Sequence, residues 1–329
     1  MTHQNSTYKL GIVGVRGYVG KELLAIVEQH PHLEIAWVSS RQLAGKPLSE
    51  LGLTDLLGTE QQQILIENLS PVQVAERKTD IIVLALPNGL AKLFVDAIEQ
   101  HNNCQVIIDL SADYRFDSQW LYSVPEIHNI KQGQAELKKP LKISNPGCYA
   151  TAMQLAIAPI KDLIKGHAHC FGVSGYSGAG TTPSPNNDPD NLHENIIGYK
   201  LVEHLHEREV SEKLDCAISF SPHVASFFRG INMTVQLRFK QPQKPHTLFN
   251  RFNDFYAMHE LVRCQPEIPT IQQVVNTPYC VIGGLTVSKN GNRATIISCL
   301  DNLLKGAASQ AIQNINLALG FDTSTGLTN

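Results

Sequence analysis

Cys148 is the residue whose type and position best suit chemistry. It follows the turn Asn145-Pro146-Gly147 and precedes an apolar run, 150–160, with helical character. A thiol at a helix N-terminus is a strong candidate nucleophile, because the partial positive charge there stabilises the thiolate. The other cysteines of the seven in the chain lack this setting. We therefore predict that Cys148 is a nucleophile, with a buried structural cysteine as the alternative.

Cysteine acyl chemistry also needs an acid or base, and an anchor for an anionic substrate. The segment His204-Leu205-His206-Glu207-Arg208-Glu209 offers two imidazoles, which would share one side of a strand but diverge on a helix. A polar helix surface is the alternative. Residues 174–180 could bring backbone N–H groups to a cofactor or form a flexible loop. Arg115 follows a predicted strand, where its guanidinium could hold a phosphate.

A glycine-rich turn, Gly14-Val15-Arg16-Gly17-Tyr18-Val19-Gly20, links the first predicted strand to the first predicted helix. Glycines in this position let backbone N–H groups approach a pyrophosphate at the helix N-terminus. A tight turn without a ligand is the alternative reading. The second strand is followed by Ser39-Ser40-Arg41 and not by the acid typical of NAD enzymes. Two hydroxyls and a guanidinium suit a 2′-phosphate, so we expect NADP(H), with a solvated Arg41 as the alternative.

Short apolar segments alternate with helical patterns in the first half of the chain. The strands are predicted at 9–13, 33–38, 80–86 and 106–109, with helices at 21–29 and 90–100. This alternation predicts a parallel sheet with helices on both faces. Beyond residue 147, turn-rich stretches separate strands at 217–220 and 231–238, which indicates a mixed sheet. A last helix is predicted at 303–319, ending at Gly320.

Composition excludes several classes of protein. The chain has 329 residues, 43% of them hydrophobic, and a net charge of -3. No concentrated basic face indicates nucleic-acid binding, and no apolar run predicts a membrane span or a signal peptide. The scattered cysteines form no C-x-x-C pair, so we expect no metal, reduced thiols and a cytoplasmic location.

Several segments together resemble a known family. They are Asn145-Pro146-Gly147-Cys148-Tyr149, residues 109–115, residues 174–180, Pro222-His223 with Arg229-Gly230-Ile231, and residues 301–308. In their order, they are similar to the N-acetyl-γ-glutamyl-phosphate reductases of arginine biosynthesis, within the aspartate-semialdehyde dehydrogenase superfamily. The resemblance covers nearly the whole chain. It implies an NADPH-dependent acyl-phosphate reductase that works through a cysteine thioester.

The resemblance also implies a fold and a domain organisation. An α/β Rossmann-type NADP-binding domain is expected at 1–147, completed by 302–329 as the C-terminal helix returns to it. An α+β catalytic and dimerisation domain with a mixed sheet is expected at 148–301. Because the superfamily pairs through this second domain, a homodimer or homotetramer is expected.

The resemblance assigns roles to individual residues. It implies that Cys148 is acylated and that His206 acts in acid–base steps. Substrate-binding positions are implied at Arg115, Asn145, Tyr199, His204 and Glu209. Cofactor-binding positions are implied at Gly14, Arg16, Gly17, Tyr18, Val19, Gly20, Ser39, Ser40, Arg41, Pro87, Ser177, Gly178 and Asn302.

Two departures from the family pattern leave points open. Arg16 stands where a small hydroxyl residue is common, so it contacts a cofactor phosphate or faces solvent. Leu205 and Arg208 replace an arginine and a proline of the histidine pattern, which leaves the division of roles between His204 and His206 open. Related substrates with aspartyl, N-succinyl-glutamyl or amino-adipyl groups, and a non-catalytic NADPH-sensing protein, are the alternatives.

Overall fold

The computed structural model describes residues 6–101, 103–128 and 140–328. The chain divides into two compact units: the first runs up to Pro146 and resumes at Ala307, and the second is Gly147–Gly306. Over the described ranges, no helix combines the length and the apolar character that a membrane span requires.

The first unit contains a six-stranded sheet in the order β2-β1-β3-β4-β6-β5. Every neighbouring pair of its strands is parallel. Its strands are β1 Tyr8–Val13, β2 Leu33–Ser39, β3 Ile81–Leu84, β4 Val106–Asp109, β5 Leu121–Tyr122 and β6 Leu141–Ser144. Among the described residues before 146, the helices are α1 Tyr18–Gln29, α2 Thr59–Gln62, α3 Pro71–Glu76 and α4 Ala91–His101.

Strand β3 shows that an apolar core covers each face of this sheet. Ile81 and Val83 belong to one apolar core, whereas Ile82 and Leu84 belong to another. Successive side chains of a strand point to opposite faces, so each face of the sheet has its own core. This arrangement confirms the parallel sheet that the alternating sequence predicts.

The second unit contains a seven-stranded sheet in the order β11-β12-β13-β10-β7-β9-β8. Two neighbouring pairs, β7 with β9 and β11 with β12, are parallel and the others are antiparallel, which confirms the predicted mixed sheet. Its strands are β7 Ala168–Gly175, β8 Ile196–Gly198, β9 Ile218–Ala225, β10 Ile231–Arg238, β11 Val262–Cys264, β12 Cys280–Val287 and β13 Arg293–Leu300. Its helices are α5 Cys148–Ile157, α6 Pro189–Leu192, α7 Leu205–Leu214 and α8 Pro245–Tyr256.

The last helix, α9, spans Ala308–Leu319 and belongs to the first unit. Its stripe of Ala308, Ala311, Ile312 and Ile315 is buried in the same core as β1, which confirms that the C-terminal helix returns to this unit. The predicted start of the helix at residue 303 is wrong. Residues 302–307 form turns, because the carboxylate of Asp301 accepts the N–H groups of residues 303 and 304.

Candidate active site

Cys148 is the first residue of α5. Gly147 is the N-cap in an extended conformation, and it has no side chain with which to cap the helix. The other nine residues of α5, from Tyr149 to Ile157, are buried, whereas Cys148 is partly exposed. The helix is therefore held by its packing, and it presents the thiol at the positive end of its dipole.

Two backbone contacts fix the position of this helix end. The N–H of Gly147 donates to Oε1 of Glu209 at 3.0 Å, and the N–H of Thr151 donates to the carbonyl of Gly147 at 2.8 Å. Gly306 lies so close that a Cβ on it would stand 2.7 Å from the Cβ of Cys148. A larger residue at position 306 would therefore displace the thiol.

Five of the other cysteines have a thiol pKa that burial raises. Burial raises the pKa of Cys104 and of Cys299 to about 12, and that of Cys264 to about 11. Burial also raises the pKa of Cys170 and Cys216. A thiol with a raised pKa is a poor nucleophile at neutral pH, so these residues suit structural roles.

The two histidines lie at the start of α7, where the helix begins one residue after His204. His204 is the N-cap, and its Nδ1 accepts the N–H of His206 at 3.1 Å. Because His204 is extended and His206 is helical, the two rings do not diverge, and their centroids are 4.9 Å apart. The ring of His206 also lies 6.1 Å from that of Tyr149, the residue after Cys148.

His204 and Glu209 are both withdrawn from solvent. Burial, followed by the charge of Lys200, lowers the pKa of His204 to about 4, so its ring is neutral at neutral pH. Glu209 is completely buried, and its carboxylate accepts the N–H of Gly147 described above. Glu209 stands three residues after His206, on the same side of α7.

Two tyrosines complete this cluster. Burial, and secondarily the charge of Cys148, raises the pKa of Tyr199 to about 12, which places Tyr199 within electrostatic range of the thiol. Burial is also the main cause that raises the pKa of Tyr149, whose hydroxyl donates to the carbonyl of His223 at 2.6 Å. Both hydroxyls stay protonated at neutral pH. The second unit thus brings together Cys148, Tyr199, His204, His206 and Glu209.

A second cluster in the same unit contains the remaining predicted residues beyond position 147. Nδ2 of Asn302 donates to Oγ of Ser177 at 2.9 Å, and the N–H of Gly230 donates to Oδ1 of Asn302 at 2.7 Å. A Cβ on Gly178 would stand 3.8 Å from Nδ2 of Asn302. The structure therefore brings Ser177, Gly178 and Asn302 together.

The glycine turn of the first unit has the geometry that a bound dinucleotide requires. Gly14 has a φ of 97°, and a Cβ on it would lie 2.1 Å from the carbonyl oxygen of Ala85. A Cβ on Gly20 would lie 2.7 Å from Cα of Val15, whereas Gly17 has no such close neighbour. Gly17, the N-cap of α1, has no side chain with which to cap the helix. The turn is therefore a backbone cradle that fits a pyrophosphate.

The residues after β2 differ in how accessible they are. Ser39 and Ser40 are buried; Oγ of Ser39 accepts the N–H of Leu69 at 3.1 Å, and the carbonyl of Ser39 accepts the N–H of Gly14 at 2.8 Å. Arg41 is exposed, and Arg16 is partly exposed. Of the predicted 2′-phosphate contacts, Arg41 is therefore the most accessible. Tyr18 and Val19 are partly exposed, and Pro87 is exposed after β3.

Arg115 and Asn145 are joined by a hydrogen bond in the first unit. Nε of Arg115 donates to the carbonyl of Asn145 at 3.1 Å, and Nη2 donates to the carbonyl of Leu110 at 3.3 Å. Asn145 is buried; its Oδ1 accepts from Asn314 at 3.1 Å and its Nδ2 donates to Ala307 at 3.3 Å. Arg115 thus holds the segment that leads along the chain to Cys148.

Sequence reasoning missed three residues of the second unit. Tyr149 was noted only as a neighbour of Cys148, and Gly306 and Asp301 only as parts of a motif. A glycine before a helical run is the signal that could have singled out Gly306, since a close backbone approach requires it. No local pattern shows that its neighbour is Cys148, which lies 158 positions earlier in the chain.

Two family models match the chain. Residues 9–135 match the semialdehyde dehydrogenase NAD binding domain, and residues 148–302 match the semialdehyde dehydrogenase dimerisation domain. Aspartate semialdehyde dehydrogenase II of Vibrio cholerae, solved in complex with ASA, is similar with a TM-score of 0.78 at 15% identity, over 96% of this chain and 99% of that chain. The fold and the matched domains define a semialdehyde dehydrogenase, an oxidoreductase class with a nicotinamide dinucleotide cofactor.

Sequence relatives narrow this class. N-acetyl-gamma-glutamyl-phosphate reductase of Stenotrophomonas maltophilia is 47% identical over 323 residues, 98% of this chain and 99% of that protein. The protein of the same name from Xanthomonas euvesicatoria pv. vesicatoria is 47% identical over 322 residues, 98% of each. The chain belongs to the N-acetyl-γ-glutamyl-phosphate reductase family, which confirms the resemblance found in the sequence. It is an enzyme, and the non-catalytic alternative is set aside.

The low pKa of His204 predicts a pH-dependent stability. The folded state holds this ring neutral down to about pH 4, whereas the unfolded chain protonates it near 6.5. The unfolded state therefore binds more protons between these values, and the contribution is lost as pH falls. His204→Asn keeps an N-cap acceptor but does not titrate. In urea titrations, the wild type should lose about 2–3 kcal/mol relative to this variant from pH 7 to pH 4. An equal change in the free energy of unfolding with pH in the wild type and in His204→Asn would refute the lowered pKa of His204.

Proposed function

We propose that the protein reduces N-acetyl-γ-glutamyl phosphate, with NADPH, to N-acetyl-glutamate 5-semialdehyde and phosphate. The observation that carries this proposal is the 47% identity to reductases of that name along 98% of the chain. The placement of Cys148 at the first position of α5 supplies the chemistry. We further propose a role in arginine biosynthesis, in the cytoplasm, where a thiol nucleophile stays reduced.

The first step is attack of the Cys148 thiolate on the acyl-phosphate carbonyl. The new S–C bond forms as the bond from carbon to the phosphate oxygen breaks, and phosphate leaves with that electron pair. The helix dipole of α5 stabilises the thiolate before attack. Because an acyl phosphate is already activated, orientation and exclusion of water are the main tasks of the surrounding residues.

In the second step, the thioester is reduced and the aldehyde is released. NADPH, when bound, supplies the hydride for this reduction. His206 donates a proton to the developing oxyanion or accepts it as the hemithioacetal collapses and expels the Cys148 thiolate. His204 stays neutral and fixes the backbone N–H of His206. This contact supports the assignment of the acid–base role to His206 and of a positioning and substrate-contacting role to His204.

The cofactor would be held by the glycine turn and its neighbours. Backbone N–H groups at the N-terminus of α1 would face the pyrophosphate, Gly14, Gly17 and Gly20 would let the backbone approach it, and Arg41 would face the 2′-phosphate. The same part of the first unit would be lined by Tyr18, Val19, Ser39, Ser40 and Pro87. From the second unit, we propose Ser177, Gly178 and Asn302 as further contacts, and Arg16 as a contact to a phosphate.

The substrate would be bound by charged and polar groups. We propose Arg115 as the anchor of the leaving phosphate, since a guanidinium can bind phosphate while it donates to a backbone carbonyl. Tyr199 is a protonated donor within electrostatic range of Cys148. The proposed set of substrate contacts is completed by Asn145, His204 and Glu209.

We also propose the domain limits 1–147 with 302–329 for the cofactor-binding domain and 148–301 for the catalytic domain.

Cys148→Ala tests the nucleophile. The variant should bind NADPH with an unchanged Kd but show no turnover, because alanine has no thiol with which to form the thioester. Cys216→Ala is the matched control, since this thiol is partly exposed and its pKa is raised. The assay is phosphate-dependent NADP reduction with N-acetyl-glutamate semialdehyde, and with aspartate semialdehyde for comparison. Substantial activity in Cys148→Ala, or preference for the aspartate aldehyde, would overturn the proposal.

Arg41→Ala tests the choice of cofactor. Losing a charge-assisted contact to the 2′-phosphate should raise the KM for NADPH by roughly ten- to 100-fold and leave that for NADH nearly unchanged. Arg16→Ala is the comparison, because a contact to the pyrophosphate would alter both cofactors equally. Steady-state kinetics with each cofactor provide the measurement. Equal changes for NADPH and NADH in Arg41→Ala would exclude the proposed 2′-phosphate contact.

We propose that the protein is a homo-oligomer that pairs through its second unit, whose match is to a dimerisation domain. Helix α5 packs on one face of the seven-stranded sheet, against β10 and β13. The opposite face carries Phe171, which is 45% exposed, beside Thr234 and Gln236. Sedimentation should give a particle mass at least twice the 36.3 kDa of the chain. Phe171→Glu should lower this mass. A wild-type monomer would refute this proposal.

A further inference from the structure

Asp301 is a completely buried carboxylate at the end of β13, and the proposed mechanism leaves it without a role. Its carboxylate forms an ion pair with Arg229, with Oδ2 2.6 Å from Nε and Oδ1 3.1 Å from Nη2. It also accepts the N–H of Asn276 at 2.8 Å. The side chain of Arg229 is only 12% exposed, so water screens this pair weakly.

The two partners belong to different loops, and each loop leads to a proposed site residue. Arg229 lies in residues 227–230, whose backbone carbonyls accept the N–H groups of Gly175, Tyr176 and Ser177 at 2.9–3.0 Å. A Cβ on Gly175 would lie 2.5 Å from the carbonyl oxygen of Phe228, so these backbones are in direct contact. The ion pair therefore fixes the loop that carries Ser177 and Gly178.

On the other side, Asp301 orders the turn that follows it. Its Oδ1 accepts the N–H of Leu303 at 2.9 Å and that of Leu304 at 3.3 Å, and its carbonyl accepts the N–H of Gly306 at 2.9 Å. This turn carries Asn302, which bonds Ser177, and Gly306, which abuts Cys148. One carboxylate thus fixes the positions of both the loop that carries Ser177 and Gly306, the neighbour of Cys148.

We propose that Asp301 and Arg229 are positioning residues, whose ion pair fixes the Ser177–Asn302 contact and Gly306 relative to Cys148. The inference rests on the proposed function in taking Ser177, Gly178 and Asn302 as cofactor contacts and Cys148 as the nucleophile. A buried charge pair is not required for stability alone, since apolar residues can replace such pairs without loss. A geometric role explains why a charge is kept here.

The test uses the full-length enzyme with Asp301→Asn, Arg229→Met and Arg229→Lys. Leu248→Ala is the control for lost stability, because Leu248 is completely buried in α8, a helix that packs against β11 and β12. Three readouts are measured: the Kd for NADPH by calorimetry, kcat and KM, and hydrogen exchange of peptides covering 176–179 and 302–306. Exchange and Kd do not depend on turnover.

Asp301→Asn and Arg229→Met should raise the Kd by about fivefold or more and lower kcat by about tenfold or more, because small misplacements carry such costs. Exchange should quicken in both peptides. Arg229→Lys retains the charge but not the fork, so it should fall between the wild type and Arg229→Met. Leu248→Ala should lower the melting temperature but leave the Kd and both peptides unchanged.

The inference would be overturned if Asp301→Asn had a Kd for NADPH and a kcat within about twofold of the wild type. It would also be overturned if Leu248→Ala changed the Kd and the exchange of both peptides as much as Asp301→Asn does. The third contradicting result is the same Kd and kcat in Arg229→Lys as in Arg229→Met. If Asp301→Asn does not fold, the comparison of Arg229→Lys with Arg229→Met tests the inference. The proposed function fails separately, if the wild type does not bind NADPH or Cys148→Ala stays active.

Discussion

The structure of the candidate site depends on one constraint, the exposed positive end of α5. Cys148 occupies its first position, Gly147 offers no capping side chain, and every later residue of the helix is buried. The Glu209 carboxylate, itself without access to solvent, holds the N–H of Gly147 from 62 positions further along the chain. The N-terminus of α5 is thus fixed in place, and its partial positive charge favours the thiolate form of Cys148.

The remaining groups of the second unit follow from this helix end. Tyr149 links it to β9 through the carbonyl of His223, and the ring of Tyr149 lies near that of His206. Helix α7 carries His206 and Glu209, and it packs against α5. The acid–base candidate and the carboxylate that fixes the helix end thus come from one element. Moving α7 would change the positions of both the proposed nucleophile and the proposed proton donor.

Much of the fold was accessible from local pattern. Periodicity identified β1 to β4, and the glycine turn after β1 and the cysteine at the start of α5 were visible as short signals. The start of α9 was not, because the turn at 302–307 depends on a carboxylate whose partners lie in distant loops. The convergence of the His204 and His206 rings was also hidden. It requires the helix to begin between the two residues, at Leu205, and sequence spacing alone does not show where a helix begins.

The central claim is that the acyl group of the substrate is carried on the sulfur of Cys148. The most direct measurement is mass spectrometry of enzyme mixed with N-acetyl-γ-glutamyl phosphate without NADPH, quenched in acid and digested. We predict an N-acetyl-glutamyl adduct on the peptide that contains Cys148, removed by hydroxylamine as a thioester should be. An adduct on another cysteine, or no adduct while the enzyme turns over normally with NADPH, would contradict this account.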